Sequence, residues 1–138
     1  MRNKVCTGIL SLIGLLALAA PALAHHAFSS EYDGTKNVKL TGTLTKVEWV
    51  NPHVFLHLDV KDQSGKVTNW AIEMGPTVAL HRYGAKQSMF VVGQTVTVDA
   101  YPAKDGTRAL GGFRHIKFAD GTEFNYKNAD AEAEAEGK

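Results

Sequence analysis

The chain has 138 residues, with 15 Lys and Arg against 14 Asp and Glu, and 44% of it is hydrophobic. That length suits one domain around one core. The near-neutral charge argues against nucleic acid or an anionic membrane surface as a partner, because both ask for a concentrated basic patch. A single cysteine, Cys6, excludes an internal disulfide.

Residues 1–24 have the three parts of a secretory signal. Arg2 and Lys4 give a positive start without an acid, Ile9 to Ala20 form an apolar run, and Pro21 leads into the small-x-small pattern Ala22-Leu23-Ala24. The run is shorter than the roughly 20 residues of a spanning helix. Cys6 lies before it, whereas a lipid-modified cysteine would follow it. The expectation is cleavage after Ala24, a periplasmic location, and no membrane attachment afterwards. Cleavage takes away two cations, no acid and the only thiol, leaving 13 positive against 14 negative residues.

Residues 25–37 (HHAFSSEYDGTKN) are polar and aperiodic, and read as an N-terminal arm. A domain is expected over residues 38–127. From Val38, alternation places Val38, Leu40, Gly42 and Leu44 on one face, and the apolar phase then moves to Val47 and Trp49. That shift predicts a bulge or bend in a long first strand. Asn51-Pro52 ends it. His53 to Val60 make a second strand, with Val54, Leu56, Leu58 and Val60 inward and His53, Phe55, His57 and Asp59 outward. After the turn at Asp62–Gly65, Val67 to Met74 form a third strand.

Gly75-Pro76 opens a short helix, Thr77 to Tyr83, stopped by Gly84. Thr95 to Ala103 and Ala109 to Phe118 are the fourth and fifth strands. Gly111-Gly112 reads as a bulge in the fifth, and Thr122 to Tyr126 close a last hairpin. Residues 128–138, ending AEAEAEGK, form an acidic tail without a large apolar residue, expected to be solvated. Five strands with a helix between the third and fourth predict an all-β fold with one short helix, a small OB-like five-stranded barrel. A small β-sandwich is the alternative.

The segments HHAFSSEYD, VEWVNPH and TNWAIEMG, in this order behind the signal, resemble an uncharacterised family of exported bacterial proteins, catalogued as domain of unknown function 6152. The resemblance runs from His25 to about Phe118. It implies a Gram-negative periplasmic setting and supplies no activity, substrate or catalytic residue.

Cleavage after Ala24 would give His25 a free amine beside its imidazole, a chelating pair suited to copper, nickel or zinc. His26 adds a second ring. A third ligand must come from the domain, and His53, at the start of the second strand, is the candidate; copper is the candidate metal. The competing reading has His53 hydrogen-bonded within the Asn51-Pro52-His53 turn. His57 lies about 13 Å from His53 along a strand, so one metal does not take both. His81 is expected on the helix surface, and neither it nor His115 has a partner evident in sequence.

A Cu(I) site of His53, Met74 and Trp70 is tested by register. Pairing that sets His53 against Met74 also sets Val54 against Glu73. Moving it by one residue sets Val54 against Met74, Leu56 against Ile72 and Leu58 against Trp70, which keeps one face apolar. Met74 and Trp70 then belong to the core. No catalytic set is evident: Ser29, Ser30, Ser64 and Ser88 lack a nucleophile motif, and Glu31, Asp33, Glu48 and Glu73 are scattered. Trp49, Phe55 and Tyr101 are read as packing rather than a ligand platform. The function expected first is a non-enzymatic periplasmic binding module for a protein or small ligand. The second is a copper-binding protein using His25, with His26 or His53 assisting.

Overall fold

The computed structural model describes residues 30–106 and 110–126. The expected signal over residues 1–24, His25, His26 and the acidic tail lie outside the described residues. Strand β1 (Val38–Glu48) turns Leu40 and Leu44 inward. Leu44 then faces Leu58 while Lys46 faces His57, so Thr45 is the extra residue of a bulge. The bulge moves the inward phase to Val47, as the sequence pattern requires. At Gly42 a Cβ would sit 2.4 Å from the Asp59 carbonyl oxygen, so only glycine lets β1 lie this close to its neighbour.

Strands β2 (Phe55–Lys61) and β3 (Val67–Glu73) pair with Leu56 opposite Ile72 and Leu58 opposite Trp70. This is the register that keeps apolar residues on one face. Met74 is buried in the core and Trp70 packs against it, so neither faces His53 as a ligand. Helix α1 (Thr77–Arg82) follows, with Leu80 buried, and a 3-10 turn at Gln87–Met89 precedes the buried Phe90.

Strands β4 (Thr95–Pro102), β5 (Leu110–Lys117) and β6 (Glu123–Asn125) complete the sheet in the order β3-β2-β1-β4-β5-β6. A parallel pairing of β3 with β5 closes the first five strands into a barrel. That closure makes the fold an OB-like barrel with one short helix and excludes the open sandwich.

Closure also corrects the reading of Gly111-Gly112. Both pair within β5, and a Cβ on Gly111 would press on Ile72 Cδ1 at 3.2 Å and Ala100 Cβ at 3.3 Å. The bulge falls instead at Arg114, between His115 opposite Asp99 and Phe113 opposite Ala100. The barrel interior holds Leu44, Val54, Leu56, Leu58, Ile72, Val96, Val98 and Ile116, all essentially inaccessible. Each such side chain contributes roughly 1.5–3 kcal/mol by leaving water, and among the described residues no polar side chain is buried with them.

The N-terminal arm differs from the expectation. Residues 31–33 lie alongside the end of β4: Asp33 N–H donates to Pro102 O at 2.9 Å, Lys104 N–H donates to Glu31 O at 2.8 Å, and Tyr32 bridges to Ala103. Tyr32 is 1% exposed and packs with Tyr101, Leu110 and Tyr126. One large aromatic residue, Tyr32, anchors the described part of the arm, and anchoring at one position leaves no periodicity to read.

Candidate functional site

Tyr32 brings its hydroxyl to the end of β3. It donates to Glu73 Oε2 at 2.5 Å, while the other oxygen of the same carboxylate, Oε1, faces Nδ1 of His53. His53 therefore finds its partner across the barrel end, on β3, rather than within its own turn. The Asn51–Pro52 peptide before it is cis. Its side chain is 45% exposed, whereas that of Glu73 is 14% exposed. A carboxylate accepts and does not donate, so a hydrogen in this ion-pair contact belongs to Nδ1, which leaves the lone pair of a neutral ring on Nε2.

The surroundings are acidic. The Glu31 carboxyl is raised above its usual range, first by partial burial and then by the charges of Glu73 and Asp105, with His53 acting in the opposite direction. The Tyr32 phenol is raised as well, by burial first and then by its bond to Glu73. Glu31 and Glu73, which look scattered in the sequence, thus share one field. Among the described residues no three His, Cys, Asp or Glu side chains converge to hold a metal ion. His53 is brought to a site with Glu73 and Tyr32, and His25 and His26 lie outside the described residues.

The other histidines are placed differently. His115 Nδ1 lies 3.1 Å from Asp99 Oδ2 and its Nε2 lies 3.4 Å from Glu123 Oε2, so this ring has two carboxylate partners that the sequence did not disclose. It borders a polar cleft of about 390 Å³ lined by Asn37, Lys39, Asp99, Arg114 and Asn125. His57 Nε2 is 3.3 Å from Glu48 Oε1 but lacks hydrogen-bond alignment, and that nitrogen is buried. Glu48 instead pairs with Lys46, which holds its carboxyl below the usual range. His81 is exposed on α1 and meets the edge of Trp49 at 5.7 Å. Tyr101 is buried and Trp49 packs against the core, so both serve packing.

Tyr32 and Glu73 are the site residues that sequence reasoning missed. The available signal was the alternation of β3, which puts Glu73 outward opposite Phe55 and next to the strand start that carries His53.

No curated protein matches the chain significantly. Among solved structures it is similar to the mitochondrial single-stranded DNA binding protein Rim1 of S. cerevisiae, at 11% identity and a TM-score of 0.46, covering 61% of this chain and 93% of that one. It is also similar to the N-terminal domain of PriB from Thermoanaerobacter tencongensis, at 17% identity and a TM-score of 0.43, covering 62% and 97% respectively. The exclusion of nucleic acid drawn from net charge does not stand. Net charge is a sum over the chain and says nothing of local patches, so a near-neutral total does not remove that class of partner. Among the described residues no helix is long and apolar enough to cross a membrane. The model of a family of unknown function, DUF6152, matches residues 13–112, and the chain belongs to that family.

Proposed function

We propose that the protein is a non-enzymatic binding module of the periplasm, exported by a signal cleaved after Ala24, with its ligand site centred on His53. The ligand chemistry that fits best is a transition-metal ion, copper first. The observation that carries this reading is the chain Tyr32–Glu73–His53. A carboxylate at Nδ1 of a half-exposed ring, with Nε2 left for a ligand, is the arrangement in which histidine ligates metals, the carboxylate setting tautomer and ring orientation.

His53 alone does not hold an ion, and the remaining ligands in this reading are the amine and ring of His25 and the ring of His26. Tyr32 anchors the arm beside His53, and the seven residue steps from His25 to it reach at most about 25 Å when extended. That span is ample for a histidine to return to a site joined to the anchor through Glu73. Copper(II) titration of the mature chain is expected to show one equivalent bound, with at least tenfold weaker binding in His53→Ala and in protein carrying one extra residue before His25. Equal binding by the extended protein would overturn the free-amine ligand.

A second reading, a small polar ligand in the cleft of Asn37, Lys39, Asp99, Arg114, His115 and Asn125, is favoured by that cleft's size and mixed charge. It predicts ligand-induced shifts at His115 that a metal chelator leaves unchanged; shifts confined to His53 contradict it.

A further inference from the structure

Between Glu73 and Asp99 the sequence has no acidic residue, and it carries His81, Arg82 and Lys86 there. Among the described residues neither Arg82 nor Lys86 meets a carboxylate. The same stretch exposes Val78, Val91 and Val92 at 57–59%. Trp49 ties two parts of this stretch together. The Trp49 ring stands 5.7 Å from His81 and 5.5 Å from Phe90. Val50 follows Trp49, Val91 follows Phe90, and Val78 lies one helical turn before His81. Exposed apolar residues gathered beside unpaired cations mark an interaction surface more than scattered ones do.

We propose that this helix-capped end is a docking surface for the chain's own acidic segment, Lys127 to Lys138. The first argument is where that segment starts. Tyr126, the last described residue before it, sets its ring edge-on against Tyr83 at 5.3 Å, and Tyr83 directly follows α1. The tight fit of the Tyr126 hydroxyl over Gly75 fixes that exit point. The second is charge. Asp130, Glu132, Glu134 and Glu136 outnumber Lys127 and Lys138, so the segment is net negative opposite Arg82 and Lys86. The third is reach. Twelve residues extend up to about 40 Å, whereas a six-residue helix is about 9 Å long.

Other occupants fit less well. A second copy brings Arg82 and Lys86 against themselves. An anionic lipid surface calls for clusters of about four to eight cations, and this surface has two. Tethering gives the segment an effective concentration in the millimolar range, and exposed ion pairs contribute at most about 1 kcal/mol each. The docked state is therefore shallow and salt-sensitive.

The test compares backbone amide NMR spectra of the mature chain, a variant ending at Tyr126, and the variant Glu132→Gln, Glu134→Gln, Glu136→Gln. The expected result is that both variants shift the amides of Val78, His81, Arg82, Lys86 and Val91 in the same direction. In about 1 M salt, where screening acts over about 3 Å, the three spectra should converge. Arg82→Gln with Lys86→Gln should make removal of the tail silent. Unchanged amides at α1, or changes confined to the His53 end, overturn the proposal. So do shifts that depend on protein concentration, which would assign the surface to a second copy.

Discussion

His53 and His115 both stand outside the barrel beside carboxylates, but the two rings are held in different ways. His115 has Asp99 hydrogen-bonded at one nitrogen and Glu123 within ion-pair distance of the other, so carboxylates of the fold flank both of its polar positions. His53 has Glu73 at Nδ1, and among the described residues Nε2 meets no donor or acceptor. The lesson is that a carboxylate beside a histidine does not by itself mark a site. A ring with a carboxylate at one nitrogen leaves the other for a ligand, and a ring flanked by carboxylates at both does not. The Tyr32 hydroxyl adds to the contrast, because it fixes the carboxylate that fixes His53.

The sharpest way to break this comparison is Glu73→Ala. It removes the acceptor from a buried phenol, a loss of about 1–3 kcal/mol, and it frees the His53 ring, weakening copper about 10–100-fold. Glu123→Ala at the other histidine is expected to change stability by about 0.5 kcal/mol or less and copper binding not at all. Chemical denaturation and copper titration of the two variants measure both effects.

Tyr32→Phe comes next. It keeps the packing but leaves Glu73 Oε2 without its donor, an expected cost of about 1 kcal/mol. It should also change the alkaline limb of stability. The Tyr32 phenol titrates higher in the folded chain than its ordinary 10.0. The unfolded chain therefore releases this proton first, and the stabilisation present below pH 10 is lost as pH rises above it. Stability against pH from 9 to 11 should fall less steeply in Tyr32→Phe.

The smallest effect is expected at Glu31. Burial and neighbouring carboxylates raise its carboxyl, so its contribution is present below the unfolded value of 4.5 and is lost as pH rises through the folded one. Glu31→Gln should raise the denaturation midpoint slightly at pH 7 and leave it unchanged at pH 3.

Much of the barrel was legible in the sequence because strand faces are local. The phase shift near Thr45 disclosed the bulge of β1, and the apolar face of β2 and β3 set the pairing of Leu56 with Ile72 and Leu58 with Trp70. Gly111 was misread because its reason for being glycine is the distant Ile72 across the barrel closure. The site was legible in half. His53 was found at a strand start, but Glu73 joins it from another strand, and Tyr32 joins from a polar stretch with no repeating pattern. Asp99 and His115 likewise meet only once β4 and β5 are in register.

The most direct test of the central claim is a long-range proton–nitrogen NMR spectrum of the histidine rings in protein beginning at His25, near neutral pH. The account predicts His53 with its proton on Nδ1 and an unprotonated Nε2 whose signal shifts or vanishes on adding one equivalent of metal, while the His115 signals stay in place. A proton on Nε2 of the neutral His53 ring, or an Nε2 signal that metal leaves untouched, would contradict it.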